Sequence, residues 1–117
     1  MSAMEKINIV SIIGNSICVA AEDGQKVYDA IYTALQEGKN IEISFKGIED
    51  LTTLFLNAAI GQLYDKFKDD ELKNRMFVVD ASSQDLDTLK HSVERAKEYF
   101  KDKAKLDISI KETLGDE

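Results

Sequence analysis

Apolar and polar positions along the chain switch between two periods. Ile7, Ile9, Ser11 and Ile13 alternate with Asn8, Val10 and Ile12, so residues 6–13 predict a strand that is apolar on both faces. Gly14-Asn15 is a turn signal, and residues 16–20, with Ile17, Cys18 and Val19, read as the return strand of a hairpin. Glu22, Asp23 and Gly24 then open a helix whose acids sit where the positive end of the macrodipole favours them. Val27, Ala30, Ile31, Ala34 and Leu35 form its apolar stripe, Tyr28 and Tyr32 flank it, and Gly38 supplies a stop.

The next strand and helix are the centre of the pattern. Ile41, Ile43 and Phe45 alternate with Glu42 and Ser44, the period of a half-buried strand. In residues 54–67, Leu54, Phe55, Leu56, Ala58, Ala59, Ile60, Leu63 and Phe67 leave almost no polar face in the first two turns. Such a helix is enclosed on most sides or lends one side to a partner. Residues 69–75 form a polar connection with room for a further helical turn. Met76, Phe77, Val78 and Val79 are a continuous apolar run, the mark of an inner strand. Ser82 and Ser83 offer caps for a last helix, through which Leu86, Leu89, Val93, Ala96 and Phe100 step by three and four. Its outer face sets Asp87 by Lys90, Glu94 by Lys97 and Glu98 by Lys101, pairs worth ~0.2–0.5 kcal/mol each. Residues 103–117 are charged, with a weak alternation at Leu106, Ile108 and Ile110 that suits a frayed end or an edge strand.

The order β-β-α-β-α-β-α predicts an α/β fold: a mixed four-stranded sheet, five-stranded if the tail joins, with three main helices and right-handed crossovers. Residues 1–102 form one domain and 103–117 a charged tail. With 22 acidic and 15 basic residues the net charge is -7. Nothing here neutralises a run of phosphates or an anionic bilayer, so neither nucleic acid nor membrane is an expected partner. No apolar stretch approaches the ~20 residues of a bilayer span, and the first residues lack a secretory layout. The single cysteine suits a reducing compartment, so the expected location is cytoplasmic.

Little in the chain points to catalysis. His91, the only histidine, falls on the polar side of the last helix, and Cys18 lies in an apolar strand without a nearby histidine. There is no glycine-rich phosphate loop, zinc spacing or nucleophile elbow, so no cofactor or metal is expected. Glu49 and Asp50 are adjacent acids of the kind common on surfaces. The loop before the central helix is more informative. Thr52 or Thr53 is placed to cap that helix, and Leu54, Phe55 and Leu56 follow at once, at an end that loops normally keep wet.

Residues 43–58, Ile-Ser-Phe-Lys-Gly-Ile-Glu-Asp-Leu-Thr-Thr-Leu-Phe-Leu-Asn-Ala, resemble the core motif of the STAS-like domains of unknown function. These are similar in turn to the anti-sigma-factor antagonists. The resemblance implies a sheet covered by helices on one side and a non-enzymatic, regulatory role in binding another protein. The implied partner is a histidine-kinase-like ATPase. The implied contact runs over residues 48–56 and just beyond, through Ile48, Glu49, Asp50, Thr52, Thr53, Leu54, Leu56 and Asn57. It also implies phosphorylation of a loop hydroxyl, here Thr53 or Thr52. Ser44 and Ala58 stand where the family commonly has Asp and Glu, and Leu54 takes the place of the second small residue. A different expectation is a small-anion or nucleotide-type ligand held at the same helix N-terminus by Thr52, Thr53 and backbone N–H groups. A third is a structural homodimer, the chain being otherwise a monomer.

Overall fold

The computed structural model describes residues 3–114, with side chains as far as residue 101. Strand β3 (Asn40–Ser44) lies at the centre. Ile41, Ile43 and, one step on, Phe45 are enclosed, whereas Asn40, Glu42 and Ser44 stay partly exposed, the signature of a sheet covered on one face. Strands β1 (Met4–Asn8) and β5 (Met76–Val79) flank β3, both parallel to it. Ile7 and Val78 both pair with Ile43 and share its covered face; Lys6, Glu42 and Phe77 form one row on the other. A separate parallel pair joins β2 (Ile17–Cys18) to β4 (Asp50–Leu51).

This topology corrects the predicted hairpin and the predicted mixed sheet. Residues 9–13 are not strand but helix α1 (Ile9–Ile13). The Asn8 side chain accepts the Ser11 N–H at 2.8 Å, and Gly14, at a φ of 70°, donates its own N–H to the Val10 carbonyl at 2.8 Å. An apolar run too short to show its period is decided by its cap and its glycine stop. Residues 16–20 therefore do not fold back on β1. The five short strands divide into a sheet of order β1-β3-β5 and the β2-β4 pair, and every pairing among the described residues is parallel. The run 76–79, expected to be an inner strand, is an edge, and Phe77, on the uncovered face, is 44% exposed.

Helix α2 (Ala21–Gln36) buries Gly24, Val27, Ile31, Ala34 and Leu35. It ends in a Schellman arrangement: Gly38, at a φ of 79°, donates to the Leu35 carbonyl and Lys39 to the Ala34 carbonyl. Arg75 secures that end, its guanidinium donating to the carbonyls of Leu35 at 2.9 Å and Lys39 at 2.7 Å. The apolar stretch after β4 is helical but not uniform. It comprises α3 (Thr53–Leu56), a π-helical turn (Asn57–Gly61) and α4 (Leu63–Lys66), and stops where Phe67 turns extended. The polar connection forms α5 (Asp69–Arg75), and Ser82 caps α6 (Ser83–Leu114) by accepting the Asp85 N–H at 3.1 Å.

The backbone over residues 103–114 continues α6, where a frayed end or an edge strand was expected. Leu106, Ile110 and Leu114 stand four apart, a helical period. Residues 115–117, the rest of the expected tail, lie outside the described residues. None of the three predicted pairs on the outer face of α6 closes among the described residues. Lys97 reaches across to Asp69 at 3.0 Å instead and lies 5.8 Å over the Tyr64 ring. No helix among the described residues is long and apolar enough to cross a membrane.

The helices pack on the covered face in one direction. Gly24 of α2 sits against Ala58 of the π-turn, and Tyr32, two turns on, meets Phe67 at 5.9 Å between ring centroids. On the other side Asn57 meets Ser92, and Gly61 lies against Ala96. α2, the α3–π–α4 segment and α6 therefore run parallel to one another, with all three N-termini at the carboxyl ends of the strands.

Candidate functional site

In an open parallel sheet the carboxyl ends of the strands are where loops are free to carry function. Here β2 leads into α2, β4 into α3, and β5 into α6, so three helix starts meet at one pole. Thr52 binds two of them together. Its hydroxyl accepts the Phe55 N–H at 3.2 Å, capping α3, and donates to the Val19 carbonyl at 3.1 Å, while its N–H reaches the Cys18 carbonyl at 3.2 Å. Both capacities of that hydroxyl are committed. Thr53 is half-exposed, and its hydroxyl has no hydrogen-bond partner among the described residues.

Leu54 is the outward residue of this first turn. It is 58% exposed, although Phe55 and Leu56 beside it are wholly enclosed. Two more large apolar side chains are exposed at this pole: Val19, just past β2, and Leu86, in the first turn of α6. Their nearness follows from the packing register. The contacts of Asn57 with Ser92 and of Gly61 with Ala96 share one offset, which carried back along the helices sets Leu89 beside Leu54 and Leu86 about one turn before it, while the Thr52 hydroxyl ties Val19 to the start of α3.

The other expected site residues divide. Glu49 and Asp50 are exposed, and Glu49 accepts the Ser16 hydroxyl at 2.9 Å. Ile48 is partly buried against the core. Leu56 is a correction: it is fully enclosed, turned inward by the helical period that turns Leu54 out, and belongs to no surface. Asn57 is exposed, and its side-chain oxygen accepts a 2.5 Å hydrogen bond from the buried Ser92 of α6. The sequence patterns missed Val19, assigned to a strand, and Leu86, counted into the apolar stripe of α6. The signal for Leu86 was its place in the first turn, where a helix overhangs what it packs on.

Beneath the surface lies Cys18, fully enclosed. Burial first, then the charges of Asp23 and Asp85, push its thiol from 9.0 up to about 11. That both carboxylates act on it agrees with the first turns of α2 and α6 flanking the end of β2. An inert structural thiol follows, and His91 is a surface side chain.

Two clefts lie along α6. One, about 530 Å³, is lined by residues including Asn57, Gln62, Arg95 and Tyr99; the other, about 590 Å³, by residues including Tyr64, Phe67, Lys97 and Lys101. Neither is lined by Thr52 or Thr53.

Residues 23–86, more than half of the chain, match a family described as STAS-like domain of unknown function (DUF4325). Neither the curated proteins nor the solved structures yield a match. The matched segment opens in the first turn of α2 and closes in the first turn of α6, so it takes in β3, β4, β5 and the helical segment that follows Thr52. The chain belongs to this family of STAS-like domains.

Proposed function

We propose that this chain is a non-enzymatic regulatory module that grips a protein partner with the pole formed by Val19, Thr53, Leu54 and Leu86, bordered by Glu49 and Asp50. The observation that carries the reading is the 58% exposure of Leu54 between two threonines and two enclosed core residues. An apolar side chain held out on a helix start has its backbone already ordered, so burying it costs only side-chain rotamer entropy and gains more than that, as an interface anchor does. The likeness of the loop to that of anti-sigma-factor antagonists supports a histidine-kinase-like ATPase as the partner and the cytoplasm as the place of action. A ligand held at the threonines is less favoured, because the Thr52 hydroxyl is already committed to Phe55 and Val19 and the side chain presented beside it is the apolar Leu54.

Thr53 is the proposed switch. With the Thr52 hydroxyl committed to Phe55 and Val19, the free hydroxyl is that of Thr53. A phosphate there adds about -1.5 to -2 charges beside Leu54, and docking then has to desolvate them. Purified histidine-kinase-like ATPases of the source cell, titrated calorimetrically with this chain, test the reading. Leu54→Asp is expected to weaken binding at least about 30-fold, roughly the 2 kcal/mol of an interface anchor, with an unchanged circular dichroism spectrum. After incubation with ATP and the partner, a mass increase is expected at Thr53 and none in Thr53→Ala. Full-strength binding by Leu54→Asp sinks the docking surface, and an unmodified Thr53 sinks the switch.

A further inference from the structure

The charge of this molecule is not spread over it. The segments that build the pole, residues 16–25, 47–57 and 80–89, carry Glu22, Asp23, Glu49, Asp50, Asp80, Asp85 and Asp87 and no lysine or arginine. Those are seven of the 22 acidic residues and none of the 15 basic ones, so the remaining 15 acids and 15 bases cancel. The whole net charge of -7 thus resides in the loops and helix starts around Leu54. The nearest cations, Lys26, Lys46 and Lys90, flank the three segments in sequence, and Lys26 is held to Asp23 at 3.5 Å. Each of the three segments also presents one large exposed apolar side chain: Val19, Leu54 and Leu86.

We infer that the pole takes a protein surface whose apolar centre is rimmed by lysine and arginine, and that its acids steer such a partner toward Leu54. The inference rests on the docking reading above and adds the partner's chemistry to it. Each half does a different job. The apolar trio supplies burial, which is insensitive to salt and governs how long the complex lasts. The seven acids supply a long-range field that concentrates a basic partner and repels an acidic one, a rate effect of about 10- to 1,000-fold at low ionic strength. Since the rest of the chain is neutral in sum, the protein carries a dipole that points this pole at a basic partner. A second copy is a poor occupant, because two such poles repel.

The probe is a short amphipathic peptide of leucine and lysine, with leucines at the i, i+3, i+4, i+7 spacing of one helical face. Two controls accompany it, one with glutamate for lysine and one with serine for leucine. Each is titrated into the full-length, ¹⁵N-labelled chain. The leucine–lysine peptide is expected to shift the amides of Val19, Thr53, Leu54 and Leu86. Its affinity is expected to fall about tenfold or more between about 20 and 200 mM salt, as the screening length contracts. The glutamate control should leave the spectrum unchanged, and the serine control should bind at least about tenfold more weakly. Asp23→Asn, Asp50→Asn and Asp85→Asn combined, three of the seven acids, should lower the salt dependence by roughly a third to a half while the footprint persists. Leu54→Ser should weaken binding with the salt dependence intact.

The failures are separable. Undiminished affinity and salt slope in the triple variant overturn the charge assignment alone. Undiminished binding by Leu54→Ser overturns the docking surface beneath it. A footprint away from the pole, no binding of the leucine–lysine peptide, or equal binding of the glutamate control overturns the inference outright.

Discussion

Two adjacent threonines at one helix start have different fates, and the difference lies in where each hydroxyl points. Thr52 occupies the N-cap, with the extended backbone at φ -121° and ψ 158° that a cap requires, and its oxygen serves two partners. The hydroxyl of Thr53, one residue inside, makes no hydrogen bond among the described residues. Thr52→Val keeps the shape and removes both bonds, so it should lower unfolding stability by about 1–2 kcal/mol. Thr53→Val should change it by less than about 0.5 kcal/mol. Urea denaturation of the two variants side by side checks this, and equal losses would mean that the cap is shared. The sequence presents both residues as candidates, and only the backbone angle at position 52 separates them. Val19 and Leu86 show the same limit, since exposure depends on what lies above a side chain and not on its type.

At the scale of elements, contact between α2 and the π-turn constrains the fold most tightly. A Cβ on Gly24 would stand 2.4 Å from the Phe55 carbonyl oxygen and 2.8 Å from the Ala58 Cβ. In an open helix, alanine would gain about 1 kcal/mol over glycine. Here the obstacle is backbone, which has no rotamer by which to retreat. Gly24→Ala should therefore destabilise by about 1–3 kcal/mol despite the better helix propensity. Gly61 is the control: its Cβ would meet Ala96 at 3.5 Å, an ordinary contact, and Gly61→Ala should stay within about 1 kcal/mol of the parent. Thermal melts of both variants rank them, and a stabilised Gly24→Ala would show that the helices slide apart without cost. The long patterns were legible: the stripe of α2, the alternation of β3 and the three-and-four steps of α6 all lie where their periods put them. The short ones were not. Residues 9–13 fit a strand or one turn of helix equally well, and the parallel pairing of β2 with β4 joins positions 33 apart, which no local period reports. The π-turn at Asn57–Gly61 inserts its extra residue without any change in hydrophobic pattern.

For the molecule as a whole, two neutral acids held at opposite ends set the response to alkali. Cys18 lies at the carboxyl ends of the strands; Tyr64 lies at the far end of the central helical segment, where burial and then the Asp69 charge push its phenol from 10.0 up to about 12. Each gives up its proton more readily in the unfolded chain than in the folded one. Between pH 9 and 11 for the thiol, and between pH 10 and 12 for the phenol, the unfolded state binds fewer protons, so stability falls as pH rises. Below about pH 8 neither group contributes an appreciable slope. Lys39 acts in the same direction: its hydrogen bonds to Glu5 and Glu37 raise its pKa, and that support is lost as pH rises through the raised value. Urea midpoints should therefore be level from about pH 7 to 8 and decline from there as the unfolded thiol begins to ionise. Cys18→Ala should blunt the first part of the decline and Tyr64→Phe the later part. A residual slope should survive in the double variant, because Tyr28 and Lys39, both with raised pKa values, still titrate. A midpoint that rose above pH 9, or a Cys18→Ala curve that fell as steeply as the parent, would mean that the thiol reaches water in the folded state. The end of β2 would then be open, and the rigid platform on which Leu54 is displayed would not exist.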